Sequence, residues 1–146
     1  MGLMEDVGSG PVAVDTAVFI YLIERHPRFH PVVRGLFERA DRGELLLVSS
    51  EITLLEVLVV PYRSGYPDIA DQYAALLERG RGLTLVAMDR SQLRSAAQLR
   101  AFYGLRTPDA LQIAAALSRD CTAFVTNDRR LRTPRRLPVL QVTSYA

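Results

Sequence analysis

The chain contains no lysine: all 18 of its basic residues are arginine. Chemistry that needs a primary amine is therefore excluded, including a Schiff base, a P-loop and a receiver-type phosphoacceptor site. There is one cysteine, Cys121, so neither an internal disulfide nor a cysteine-built zinc cluster can form, and the residue reads as packing. The two histidines, His26 and His30, are four apart, but Pro27 and Pro31 break any helix that would align them as metal ligands, which leaves them in a loop. No apolar run approaches the length of a membrane span, and the opening Met1-Gly2-Leu3-Met4-Glu5-Asp6 is acidic where a secretory leader is basic. A cytoplasmic location is the expectation. Linkers, low-complexity tracts and internal repeats are also missing, so 146 residues that are 49% hydrophobic read as one domain with a real core.

What is present begins with two apolar runs that each end in an aspartate. Val12-Ala13-Val14 runs into Asp15, and Ala123-Phe124-Val125 runs through Thr126-Asn127 into Asp128. Short β-rich runs bounded by turn signals read as buried parallel strands, and ligands of open α/β sheets gather beyond the carboxyl ends of such strands. The alternation of strand-like and helix-like segments predicts an α/β fold, with a flexible stretch over residues 1–11 and one domain over 12–146. Helices are expected at about Thr16 to Arg25, Pro31 to Asp41, Glu51 to Val60, Asp68 to Arg79, Asp89 to Tyr103 and Thr107 to Leu117. Further strands are expected at Leu45 to Val48, Leu83 to Val86 and Val139 to Val142. Ser49 and Ser50 offer a cap to the third helix, Pro61 marks its end, and Thr107-Pro108-Asp109 has the composition of a helix start.

Two more acids complete the pattern. Glu56 has Ile52, Leu55 and Val59 at offsets that place it in an apolar stripe, where a charge needs a cation or an arginine partner. Asp109 is followed at helical spacing by Ile113 and Ala116, which puts it at the edge of a face that packs on the sheet. Asp15 also has the position of a helix N-cap, and Asp128 that of a cap on the turn at Arg129. Closely spaced carboxylates raise one another's pKa values and stay ionised only with a compensating cation. An oxygen-only donor set without histidine or cysteine favours Mg²⁺ or Mn²⁺ over zinc. Such an ion suits phosphodiester hydrolysis. Neutralising four carboxylates would leave a surplus of arginine charge that suits a polyanion.

Four motifs then carry a family resemblance: Val-Asp-Thr-x-Val-Phe-Ile-Tyr-Leu from Val14, Ser-x-x-Thr-x-x-Glu-Val-Leu from Ser50, Thr-Pro-Asp-Ala-Leu-Gln-Ile-Ala-Ala-Ala from Thr107, and Phe-Val-Thr-Asn-Asp-x-x-Leu from Phe124. In this order the chain resembles a PIN domain of the VapC toxin type, from Val12 to Val142. The resemblance implies a PIN-like three-layer fold with a central, mostly parallel sheet flanked by helices. It further implies an acidic quartet of Asp15, Glu56, Asp109 and Asp128, supported by Thr16 and by Thr126 or Asn127. A Mg²⁺- or Mn²⁺-dependent endoribonuclease, masked by a protein antitoxin and forming a homodimer, follows from the same resemblance. Ala17 departs from the small polar residue common in relatives and removes one supporting hydrogen bond.

Between Asn127 and Asp128, the carboxylate is the better ligand for a hard cation. Arg106, Arg129, Arg130, Arg132, Arg135 and Arg136 crowd the last two acidic motifs, either as contacts to RNA phosphates or as a solvated set of ion pairs. Tyr62 and Tyr66, beside a Pro/Gly-rich turn, read as packing residues with wet hydroxyls, with base stacking or an antitoxin groove as the alternative. A DNA-directed or structure-specific nuclease and a non-catalytic module that anchors a partner's arginine remain open. An aspartyl-phosphate phosphatase is disfavoured, because Asp15-Thr16-Ala17 lacks the second aspartate two positions on.

Overall fold

In strand β1, Val12–Val14, all three residues are buried, as a strand covered on both faces requires. In the computed structural model, which describes residues 2–146, β1 is the centre of a five-stranded sheet. Its partners are β2 (Leu47–Ser50), β3 (Leu83–Val86), β4 (Ala123–Thr126) and β5 (Val139–Gln141), in the order β3-β2-β1-β4-β5. All four pairings are parallel, so the expected mostly parallel sheet is parallel throughout. The strand order reverses at β1, between β2 and β4, where the carboxyl ends of open sheets form a crevice.

Side chains alternate across the pleat and divide the core in two. Val12, Val14, Leu47 and Val125 face one cluster. It is covered by α1 (Leu3–Val7), α2 (Thr16–Ile23), α3 (His30–Asp41), α4 (Ile52–Ser64) and α5 (Pro67–Arg79). Ala13, Val48 and Phe124 face the other, beneath α6 (Arg90–Tyr103) and α7 (Thr107–Ser118). Helix, sheet and helix make the three expected layers. No described helix is long and apolar enough to cross a membrane.

Several boundaries differ from the sequence reading for identifiable reasons. Met1 lies outside the described residues. The rest of the stretch expected to be flexible contains α1, whose Leu3 and Val7 are buried in the first cluster. Its carboxyl end is tied to α3 by Arg39 Nη2, which donates to the Gly8 carbonyl at 2.9 Å. Strand β2 lies two residues later than expected, because Ser49 and Ser50 pair with Leu85 and Val86 of β3, and Ser50 still serves the start of α4, its Oγ accepting from the Ile52 amide at 3.3 Å. Helix α4 runs through Pro61, which is buried, and stops at Gly65 in the left-handed conformation. Helix α6 starts as expected, with the Asp89 carboxylate accepting from the Gln92 amide at 2.9 Å. Burial pushes the Cys121 thiol up to about 12, which fits an inert packing residue. His26 is a loop residue whose Nδ1 accepts from the amides of Arg28 and Phe29.

Gly82 enters β3 at φ +70°, and a Cβ there would stand 2.6 Å from the Ala40 carbonyl oxygen. Gly82→Ala combines a left-handed strain with a backbone clash, a cost of about 2 kcal/mol or more. The expected melting temperature is lower by roughly 5 °C or more. A thermal scan that shows no change would contradict this close packing of α3 on the β3 entry.

Candidate functional site

Asp15 follows β1 immediately and caps α2, with its Oδ1 accepting from the Thr16 amide at 2.7 Å. Its other oxygen accepts from the Thr126 hydroxyl at 2.7 Å, across the β1–β4 pairing. Thr126 Oγ1 in turn accepts from the Asp128 amide at 3.1 Å, so the two strand-end aspartates share one hydroxyl. Burial is the largest influence on Asp15 and pushes its carboxyl above the usual range. The bonds from Thr126 and Thr16 oppose that push, and the negative charges of Asp109 and Asp128 add to it.

Glu56 is joined to the same centre through Thr16, whose hydroxyl donates to Glu56 Oε1 at 2.7 Å. The apolar stripe expected around this glutamate is not the packed face of α4. Thr53, Val57 and Pro61 are buried, whereas Leu55 is 61% and Val59 is 40% exposed. Glu56 is half-buried at the border because its nearest helical polar neighbour, Thr53 at i−3, packs inward.

Beneath Thr16 lies a polar network that sequence reasoning missed. Gln112 is 3% exposed on α7, and its Oε1 accepts from the Ser50 amide at 3.0 Å. That bond orients the amide, leaving Nε2 to donate to Thr53 Oγ1 at 2.6 Å and to Thr16 Oγ1 at 3.3 Å. Ser49 Oγ lies 2.6 Å from Thr53 Oγ1 and completes the cluster. Because Thr16 accepts from Gln112, its own single hydrogen is directed at Glu56. The available signal was positional: Thr53 and Gln112 are polar residues three positions from Glu56 and Asp109 in otherwise apolar runs.

Asp109 stands in the first turn of α7, with Arg106 rather than Thr107 at the N-cap. Thr107 takes the first helical position, with Pro108 in the first turn, which leaves the threonine no capping role. Arg106 Nε lies 3.2 Å from Asp109 Oδ2, with the arginine side chain 77% exposed. This is the only ion pair of the four acids among the described residues. Asp128 Oδ1 accepts from the Arg130 amide at 2.9 Å, the turn cap foreseen for it.

Asp109 and Asp128 line one cavity of about 690 Å³ together with Arg106, Arg130, Arg132 and Tyr103. Asp15 and Glu56 lie outside that lining, as do Arg129, Arg135 and Arg136. Asn127 is turned away from the acids: its Nδ2 donates to the Tyr21 hydroxyl at 3.2 Å and its Oδ1 accepts from the Thr143 amide at 2.9 Å. Tyr62 and Tyr66 are 64% and 62% exposed. They are not packing residues, because α4 ends at Gly65 with both rings beyond the core.

The donor chemistry of the quartet fits a hard divalent cation, and Asp109 and Asp128 are close enough to Asp15 to add to the upward push that burial gives its carboxyl. Among the described residues, however, no three carboxylate, imidazole or thiol groups converge on one point as the side chains are set. Asp109 is engaged by Arg106, Asp128 by a backbone amide, and Asp15 by two donors.

No curated protein matches the chain. Among solved structures, VapBC2 from Rickettsia felis bound to a promoter DNA fragment is similar at 18% identity and a TM-score of 0.67, covering 89% of this chain and 97% of that one. VapC20 of Mycobacterium tuberculosis, described as a toxin that cleaves the sarcin-ricin loop, is similar at 15% identity and a TM-score of 0.64, covering 77% and 86%. DNA-bound VapBC from Salmonella typhimurium gives 20% identity and a TM-score of 0.61, covering 90% and 97%. At these identities the likeness concerns the fold. The sequence model of the PIN domain matches residues 12–137, from the first residue of β1 past Asp128, and with all four acids inside that span the chain belongs to the PIN domain family.

Proposed function

We propose that the protein is a metal-dependent endoribonuclease, the toxin of a toxin-antitoxin pair, with Asp15, Glu56, Asp109 and Asp128 as its metal-binding and catalytic acids. The observation that carries this reading is the frame of short hydrogen bonds joining Asp15, Thr126 and Asp128 on one side and Thr16 and Glu56 on the other. Asp15 and Asp128 also cap α2 and the turn before Arg130, but the Thr126 and Thr16 hydroxyls that join the acids at the switch point of a parallel sheet support a reaction site. Mg²⁺ or Mn²⁺, when bound, would acidify a water and stabilise the leaving oxygen of a phosphodiester.

The protein's own groups do the rest. Thr16 and Thr126 hold Glu56 and Asp15 in fixed orientations, which removes the reorganisation that free carboxylates would undergo. Asp109 and Asp128 face the cavity through which RNA would approach, and Arg130 and Arg132 on its wall offer guanidinium forks to phosphates. Asp109 must exchange Arg106 for the ion, so Arg106 becomes available to the substrate when the site assembles. Asn127 supports the fold of the carboxyl-terminal segment, leaving Asp128 as the ligand.

An antitoxin partner is supported by the relatives solved as toxin-antitoxin complexes, including those from Klebsiella pneumoniae and Salmonella typhimurium. The exposed Leu55, Val59 and Val60 of α4 supply apolar surface of the kind a protein partner covers. A homodimer in the cytoplasm completes the proposal.

The test is cleavage by the intact protein of matched RNA and DNA oligomers, with Mg²⁺ or Mn²⁺ and with chelator. RNA is expected to be cut only in the metal-containing reactions, and DNA to stay intact. Cutting of DNA would move the assignment to a DNA-directed nuclease. The Arg106–Asp109 pair favours one second reading, an interaction module whose acids anchor a partner's arginine. Calorimetry that finds no Mn²⁺ binding at millimolar concentration, with no cleavage, would select it.

A further inference from the structure

The carboxyl end of α6 leaves two aromatic rings beside the acidic cavity. Phe102 is 81% exposed, the highest value of any large apolar side chain described, and Tyr103 is 37% exposed. Phe102 contributes nothing to the core, where α6 buries Ala96 and Leu99 instead. Tyr103 lines the cavity that contains Asp109 and Asp128, and it also lines an adjoining one of about 380 Å³ whose wall includes Phe102, Pro134 and Arg136. The two hollows therefore share the Tyr103 ring as a common wall. Arginines border both, Arg106, Arg130 and Arg132 in the first and Arg136 in the second.

This surface differs in kind from the exposed apolar stretch on α4. Leu55, Val59 and Val60 have no cationic side chain among them before Arg63, as suits a protein partner. Phe102 shares its hollow with Arg136, and Tyr103 also borders the cavity of Arg106, Arg130 and Arg132, so exposed rings and cations stand together, the combination by which proteins hold unpaired nucleic acid: cations follow the phosphates and rings stack on the bases. A second copy of the chain would bring arginine against arginine here. The complementary occupant is a polyanion with free planar faces.

We infer that Phe102 and Tyr103 form a base-stacking platform that holds unpaired ribonucleotides flanking the cleaved bond. This inference rests on the nuclease reading and adds the subsite that selects the form of RNA. In a duplex the bases are already stacked and present no free face to the rings.

The test is fluorescence anisotropy with a labelled, non-self-complementary 12-nucleotide RNA and with its duplex, in an Asp128→Asn background that suppresses cleavage. Phe102→Ala is expected to weaken the single strand about tenfold or more, the range reported for loss of one stacked base. Duplex affinity should be unchanged, and so should the dependence of affinity on salt, because Phe102 neutralises no phosphate. Phe102→Trp, with a larger ring, should retain wild-type affinity and confirm that Phe102→Ala acts through stacking. Equal affinity of parent and Phe102→Ala for the single strand, while the wild-type protein still cleaves RNA, would overturn the platform alone. So would an equal loss for strand and duplex, or a change of oligomeric state by light scattering with RNA affinity intact. Absence of both binding and cleavage in the wild-type protein would overturn the nuclease reading as well.

Discussion

Asp15→Asn is expected to melt above the wild-type protein at pH 7 and to cleave no RNA. The two effects have one cause. Burial and the charges of Asp109 and Asp128 raise the folded-state pKa of Asp15 against the bonds from Thr126 and Thr16. A carboxyl whose folded pKa lies above its unfolded value favours folding when protonated, and that contribution is lost as pH rises through the folded pKa. At pH 7 the ionised wild-type side chain is therefore a cost that the amide avoids.

The asparagine can still accept from the Thr16 amide, and Thr126 can accept from the new NH₂ with its second lone pair. Below the pKa of an unfolded aspartate, where the wild-type carboxyl is protonated in both states, the difference should disappear. Manganese reverses the ranking at neutral pH. Saturation at a hundredfold excess over Kd stabilises the wild-type protein by about 2.7 kcal/mol, and the variant should show little of this. Cleavage should fall at least a hundredfold, given the several kcal/mol that an ion contributes to such a reaction. Thermal scans at about pH 3 and at pH 7, with and without Mn²⁺, check the three statements on stability, and an RNA cleavage assay checks the fourth. A variant less stable at pH 7, or still active, would refute the assignment of Asp15.

Gln112→Leu is expected to have the largest effect on stability. The substitution preserves volume but strands the Ser50 amide and leaves Thr53 and Thr16 without their donor, all at buried or half-buried positions. At about 1–3 kcal/mol for each of the two buried groups, Ser50 and Thr53, the total is roughly 2–6 kcal/mol, or a melting temperature about 5–20 °C lower. The functional effect is separate from the structural one. Without Nε2 to accept from, the Thr16 hydrogen is no longer committed to Glu56, so kcat should fall while KM for RNA changes little. Gln112→Glu tests this directly, since a carboxylate at that position accepts from Thr16 and competes with Glu56 for its hydrogen. A purely structural role for Gln112 would lower the yield of folded enzyme with kcat per folded molecule unchanged.

Most of the strand pattern was legible because burial on both faces demands uninterrupted apolar runs, and Val12-Ala13-Val14 and Ala123-Phe124-Val125 have no other reading. Helix α6 was legible from its punctuation, Asp89 at the start and Gly104 at the end. Helix α4 was not, because proline ordinarily ends a helix, whereas Pro61 is buried and the chain turns only at Gly65. Its apolar residues misled in the same way: Leu55 and Val59 look like core in a helical wheel, but the sheet is on the side of Thr53 and Val57.

The sequence by itself determined which residues carry negative charge, that they come without histidine, cysteine or lysine, and that Asp15 and Asp128 follow buried strands. Residue chemistry and periodicity are local properties, and one chain displays them directly. Only the tertiary structure decided that β1 and β4 are neighbours, that Thr126 therefore reaches Asp15, and that Gln112, 96 positions from Thr16, orients the hydroxyl holding Glu56. Those are hydrogen bonds a few ångströms long between residues far apart in sequence, and only the packing of helices on both faces of the sheet brings their partners together.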